Sequence, residues 1–312
     1  MRWRFLGRRL GQAVITLWGL TVVVFLMFQA LPGNAAAAMF GARTSQADIK
    51  RVNHELGLDK PLWTQYWHYL THLLRGDLGT SITYNRPARE VIFDALPTTV
   101  ELAAYAVVLT AIVTVVLATV AAMQRDKPID HLIRSVPVAG LGLPTFWIGT
   151  MLLFVFALKF QLFPAGGVQP GFTGLISSMF LPACALAILF TAILVRSLRS
   201  SLLEVLDSDH VLTARSKGVH GVRLVLRHVL PNAAIPTITL VGLIFAGLLG
   251  GALIVESVFA LPGLGSLLIN GFHAHDFALV QGITMISAVG ILLVNIVIDV
   301  LYSILDPRVG LS

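Results

Sequence analysis

Residues 207–233 read "DSDHVLTARSKGVHGVRLVLRHVLPNA". The segment carries Arg215, Lys217, Arg223 and Arg227, three histidines, two glycines and one proline between long apolar runs. Ser208 stands where a helix N-cap belongs, and Asp209 suits the positive end of a helix. "HVLTARSK" continues the pattern, and Gly218 suits the left-handed residue that closes a helix. Arg215 and Lys217 fall in the last turn, where cations meet the negative helix end. Val219, His220 and Gly221 form a turn, and "VRLVLRHVL" resumes a helical pattern up to Pro231. The segment therefore reads as helix, sharp turn, helix. A helix of about ten residues is marginal alone in water, so it needs packing. Its apolar residues Val211, Leu212 and Ala214, rimmed by basic ones, suit the groove of a partner protein. A charge signal for membrane topology explains the basic residues, but not the glycines, the cap and the second helix.

The flanking runs set the class. The chain has 312 residues, 56% hydrophobic and 12% charged, and a mean hydropathy of +0.83. A soluble domain is nearer 25% charged, so the solvent for this apolar surface is lipid. A spanning helix needs about 20 mostly apolar residues. Six windows qualify: 10–30, 98–123, 135–158, 176–195, 234–256 and 279–304. Pro144 and Pro182 lie in or near two of them, and neither is expected to remove its span. The arginine-rich start and "AAAA" at 35–38 look like a signal peptide, but the first apolar run is too long for one. The fold class is thus all-α, a polytopic membrane protein.

The net charge of +6 reads as an excess of Lys and Arg on the cytoplasmic side, not as a nucleic-acid surface. With the N-terminus inside, fourteen Lys and Arg fall on cytoplasmic segments, and the two short outer loops hold only Lys159. The long outer segment 31–97 holds seven, balanced by six acids. Both termini are then cytoplasmic, as is 197–233. Within the outer segment, "HELGLDKPLWTQYWHYLTHLLRGDLGTS" (54–81) places Trp63, Tyr66, Trp67 and Tyr69 at helical spacing behind Asp59 and Pro61, followed by a Gly-Asp-Leu-Gly turn at 76–79. That helix fits either the membrane interface or a docking surface for an external partner.

The sequence has no G-x-x-x-x-G-K-[ST], H-E-x-x-H or G-x-S-x-G, and its one cysteine, Cys184, excludes an internal disulfide. Among nine scattered histidines only His273 and His275 are close, so no metal site is expected. The chain looks like a conduit driven by energy from elsewhere. In the fifth run, "FAGLLGGALIVE" (245–256), Gly247 and Gly251 make a small-xxx-small pair for close helix approach. Glu256 at its outer end is a pathway or gate candidate. The turn "ALPGLGSLL" behind it adds Pro262, Gly263 and Gly265. Asn295 and Asp299 share one helical face and suit helix–helix hydrogen bonding.

"TARSKGVHGVRLVLRHVLPNA" resembles the EAA loop of ABC-importer permeases, E-A-A-x-x-x-G-x9-I-x-L-P. Gly218 holds the glycine position, nine residues follow, and Leu230-Pro231 complete the spacing. Leu212, Thr213 and Ala214 stand at the leading triplet and His228 at the isoleucine. These departures are similar to the peptide and nickel branch. "RRLGQAVITLWGLTVVVFLMFQALPGN", "LPTTVELA", "GLPTFWIG", "GGALIVESVFALPGLGSLL" and "LYSILDPRV" resemble that branch's other blocks, in order on the expected spans. The segment with "GDLGTS" is similar to the B-type permease of dipeptide, oligopeptide or nickel importers.

The resemblance implies a type I ABC importer permease fold in the bacterial cytoplasmic (inner) membrane. The implied division is 1–30, cytoplasmic N-terminus and first span; 31–97, extracytoplasmic; and 98–312, permease core with the EAA loop at 197–233. It implies a second, C-type permease, two ABC ATPases and an extracytoplasmic substrate-binding protein as partners, besides membrane lipid. No cofactor belongs to this chain; ATP and Mg are expected on the ATPases. Val211, Leu212, Thr213, Ala214, Arg215, Lys217 and Gly218 would form the ATPase-docking helix and its turn, with Val211, Leu212 and Ala214 buried in the ATPase cleft. Gly221, His228, Leu230 and Pro231 would form the loop scaffold. The cargo implied is peptide, with nickel or another small solute as the alternative. A stand-alone channel needs no ATPase, and an intramembrane enzyme needs a nucleophile or metal set that the spans lack.

Overall fold

In a lipid interior every backbone N–H and C=O must be satisfied within the chain, and helices do this segment by segment. The computed structural model describes residues 2–30 and 59–305, and among these nearly everything ordered is helical. The helices are α1 (Arg2–Ala30), α2 (Leu62–Leu74), α3 (Ala88–Met123), α4 (Pro128–Leu141), α5 (Thr145–Leu152), α6 (Phe172–Leu206), α7 (Asp209–Ser216), α8 (Gly221–Leu224), α9 (Leu230–Val258), α10 (Leu264–His273) and α11 (Phe277–Leu305). Two π-helical stretches, Leu153–Lys159 and Val225–Val229, extend α5 and join α8 to α9. A two-residue antiparallel ladder, β1 (Thr80–Ser81) with β2 (Arg86–Pro87), precedes α3. The segment at 35–38, the Asp299 side chain and the C-terminal Arg308 lie outside the described residues.

Among the described residues, three helices are long and apolar enough to cross a membrane: Ala88–Met123, Gly171–Leu206 and Phe277–Ile298. Gly11–Met27 and Thr145–Lys159 are shorter apolar helices. At about 1.5 Å per residue, α3 and α6 run about 50 Å each, well beyond the hydrocarbon thickness.

The third apolar window departs from expectation. The run 135–158 is not one helix; it breaks at 142–144 between α4 and α5. Pro144 has no N–H to give back to the preceding turn, and it biases Leu143 away from helical angles. Pro144 takes extended angles, φ −61° and ψ 138°, and becomes the N-cap residue of α5. Pro182 behaves as expected and lies buried inside a continuous α6.

The chain forms two compact units, Met1–Pro97 with Ser266–Leu293, and Thr98–Gly265 with Val294–Ser312. In the second unit α6 is the central helix: 72% of its apolar window is buried, against 33% for α3. α4, α5 and α9 pack on it. Leu186 and Leu194 of α6 join Ala252, Val255 and Phe259 in one core. Val195, Leu198 and Leu202, farther along α6, join Val211, Ala214, Leu224, Val229 and Ala233 in a second. The same two helices therefore run through both cores. Gly247 and Gly251 face α6, as the small-residue spacing predicts. A Cβ at Gly251 would stand 3.2 Å from Leu186, and one at Gly247 3.4 Å from the Phe190 ring.

In the first unit α2 lies against α1. The Thr21 hydroxyl and the Tyr66 hydroxyl are 2.9 Å apart, Phe25 stacks on Tyr69, and Gln29 Nε2 donates to Gln65 at 2.6 Å.

Candidate functional site

The polar segment folds as helix, turn, helix. Val211 and Leu212 donate their backbone N–H groups to Ser208 O, which fixes the start of α7. Ser208 holds the N-cap position with φ −80° and ψ 151°, but its side chain makes no cap. Its Oγ donates instead to Val205 O at 2.5 Å and lies 3.0 Å from His210 Nδ1. Asp209 sits in the first turn, where the helix end is positive. The helix closes as expected: Gly218 takes φ +83°, and its N–H reaches Arg215 O at 2.9 Å. No neighbour stands within 4 Å of a Cβ placed there, so the backbone angle, not space, calls for glycine. His220 is extended, and Gly221, also left-handed at φ +63°, opens α8.

Burial divides the expected docking residues. Val211 and Ala214, three apart and so on one face, are buried within the chain's own core beside Leu198, Leu202 and Leu224. They are not available to fill a partner's cleft. A short helix needs packing, and here its own neighbours provide it. Leu212 is 48% exposed, and Thr213, Arg215, Lys217 and Gly218 are exposed with it. Arg223 and Arg227 are exposed as well.

The scaffold residues also differ from the sequence reading. Pro231 does not end the helical path, because the π-helical stretch before it leads directly into α9, where Pro231 occupies the first turn and owes no intrahelical N–H. Leu230 and His228 are half-buried, and His228 O accepts from Asn232 Nδ2 at 2.9 Å.

A polar group that sequence reasoning missed anchors this region. Asp130 of α4 is fully buried. It accepts Arg199 Nε at 2.7 Å, Arg199 Nη2 at 2.6 Å and the Asp126 backbone N–H at 3.0 Å; Arg134 Nε lies 3.4 Å away. The hydrogen-bonded Arg199 guanidinium holds the Asp130 carboxyl below the usual aspartate range, with the Asp126 N–H adding to this against the opposing effect of burial. The i,i+4 pair of Asp130 and Arg134 was visible in the sequence; the partner 69 residues away was not.

At the far end of α9, Glu256 is completely buried. Its Oε2 accepts the Gly265 N–H at 2.6 Å, and its backbone O accepts from Leu261 at 2.9 Å. Leu264 N–H donates to Thr99 Oγ1 at 2.9 Å. A Cβ on Gly263 would collide with the Glu256 carboxylate, and one on Gly265 with the Leu253 backbone. Glu256, Gly263 and Gly265 thus form one knot at the start of α10, while Pro262 stays exposed at its tip. The carboxylate organises this turn and does not reach interfacial water.

In the first unit, Asp276 is a second missed anchor. It is buried and accepts Ser81 Oγ at 2.5 Å, Thr83 N–H at 3.0 Å and Leu279 N–H at 3.2 Å. It ties the "GDLGTS" turn to the start of α11. Within that turn the Gly79 N–H, and then His72, hold the Asp77 carboxyl below the usual range. His273 and His275 are exposed. Among the described residues no group of three His, Cys, Asp or Glu is placed to hold a metal ion.

The family described as "Binding-protein-dependent transport system inner membrane component" matches residues 114–311. Its N-terminal counterpart matches residues 2–103. The chain is 35% identical over 332 residues to the "Probable D,D-dipeptide transport system permease protein DdpB" of Escherichia coli (strain K12), covering 99% of this chain and 98% of that protein. It is 33% identical over 333 residues to the "Dipeptide transport system permease protein DppB" of the same strain, covering 98% of each. A chain of the solved structure titled "Crystal structure of an amino acid ABC transporter with histidines" superposes with a TM-score of 0.50 at 20% identity, over 70% of this chain and 94% of that one, which supports the helical permease fold. Family membership implies a transport subunit that works with another permease, ATPases and a binding protein, the ATP being used by the ATPases. The chain belongs to the family of binding-protein-dependent transport system inner membrane components, as a multi-pass permease.

Proposed function

We propose that this chain is one of the two permeases of a peptide-importing ABC transporter. The observation that carries the reading is full-length similarity to relatives named for dipeptide and D,D-dipeptide transport. In this reading six spans cross the membrane with both termini cytoplasmic, and two ATPases dock below. The exposed surface of α7, Leu212, Thr213, Arg215 and Lys217, meets the ATPase. Val211 and Ala214 hold that helix on α6 and the start of α9. Movement of α7 then passes along α6 and α9, which share both cores, to the Glu256 turn. That turn closes the outer end of the pathway between this permease and the C-type one.

Uptake of a radiolabelled dipeptide by cells lacking this chain, with and without its restoration, tests the cargo. Restored peptide uptake is expected. Restored uptake of radiolabelled nickel with none of peptide would transfer the chain to the metal branch.

A further inference from the structure

We infer that α2 is an outer-leaflet interfacial helix whose bare aromatic face is covered by lipid. The inference rests on α1 being a membrane span. Thr21 lies nine residues before the end of α1 at Ala30, about 13 Å along the helix axis. If α1 crosses a hydrocarbon layer about 30 Å thick, Thr21 lies deep in the outer half. Tyr66 reaches it with its hydroxyl, and Phe25, one turn nearer the surface, packs on Tyr66 and Tyr69. Gln29, one residue before Ala30, donates to Gln65, so these contacts hold α2 alongside the span from the acyl region up to the level where acyl chains meet headgroups.

The pattern around α2 agrees with that depth. Tyr66 and Tyr69 use one flank against α1. Trp63, Trp67 and Leu74, at i, i+4 and i+11, share the adjoining face. They are 72%, 56% and 78% exposed, and the two indoles stack with centroids 6.5 Å apart. Thr64, His68 and His72 occupy the opposite side, with His68 and His72 exposed. A helix with a broad apolar sector, two tryptophans and a polar back suits the plane of the interface. On α1, Val23, Leu26 and Met27 are also bare at the same level. An external protein partner would need no apolar face at this depth, and would meet the polar back instead.

The test places a benzophenone amino acid at Trp63 or Trp67, each in turn, in the complete importer in its native membrane. Ile15 of α1, which is exposed, is the control for a lipid-facing span. After irradiation, mass spectrometry identifies the adducts. Phospholipid adducts at 63 and 67, matching those at 15, are expected; either position alone suffices if the other variant fails to fold. Adducts at 63 and 67 with the binding protein, the second permease or another part of this chain, or no adduct while Ile15 labels lipid, would overturn the proposal. Failure at Ile15 itself would instead remove the assignment of α1 as a span, and the proposal with it.

Discussion

Arg199 grips Asp130 with two parallel hydrogen bonds, Nε to Oδ1 at 2.7 Å and Nη2 to Oδ2 at 2.6 Å. The carboxylate is fully buried and the arginine side chain only 13% exposed. Leu198 and Leu202 on the same stretch of α6 pack against Val211 of α7. The pair therefore fixes α4 to the part of α6 that carries α7. Removing one member of a buried pair strands the other charge, at about 3 kcal/mol. Asp130→Ala should lower the melting temperature of the purified permease pair and reduce uptake. Arg199→Lys keeps the charge but loses the fork, and should fall between Asp130→Ala and the wild type.

The same pair sets a pH signature. The folded-state pKa of Asp130 lies below its unfolded value. Its contribution to stability is thus fully present above the ordinary aspartate range and is lost as pH falls through the lowered folded value. Melting temperature should be insensitive to this group from about pH 5 to 8 and decline in acid. In Asp130→Asn the part of the acid decline due to this group should disappear, as seen in melting curves collected side by side.

Gly218 closes α7 at φ +83° in open space. Gly218→Ala meets only the backbone penalty of the left-handed region, about 1 kcal/mol. Gly218→Asn should be milder, and Gly218→Val worse. Gly218→Pro cannot adopt the angle at all. We expect uptake to fall from Gly218→Asn through Gly218→Ala and Gly218→Val to Gly218→Pro, while ATP hydrolysis by the assembled complex persists. Equal uptake in Gly218→Pro and wild type would remove the turn from the coupling path.

The Glu256 turn makes a contrasting prediction. Glu256→Gln keeps an oxygen that can accept from Gly265, so at matched membrane abundance it should retain most uptake. Glu256→Ala loses that acceptor at the start of α10, worth about 1 kcal/mol, and should transport less. Gly263→Ala places a methyl against the carboxylate and should be the most damaging of the three. Wild-type uptake in Gly263→Ala would contradict the buried knot.

The apolar runs and the turn at Gly218 were legible because lipid and left-handed backbone each demand particular residues locally. The break at Pro144 was harder, since proline inside an apolar run is compatible with a continuous helix, as Pro182 demonstrates. The inward face of α7 was misread for a physical reason: an apolar face on a short helix looks the same whether its cover comes from a partner or from its own chain. Val211 and Ala214 took the second course. Pro231 looked like a stop because the π-helical stretch that leads into it has no sequence mark of its own. Asp130 with Arg199 and Asp276 with Ser81 are 69 and 195 residues apart, and only the fold brings such pairs together.

The central claim is that the exposed edge of α7 meets an ATPase. A photo-reactive residue at Leu212, in the complete importer in its membrane, tests it most directly. A covalent adduct with the ATPase subunit is the expected result. Adducts confined to lipid would contradict the docking role, and adducts with the extracytoplasmic binding protein would contradict the cytoplasmic placement of the segment as well.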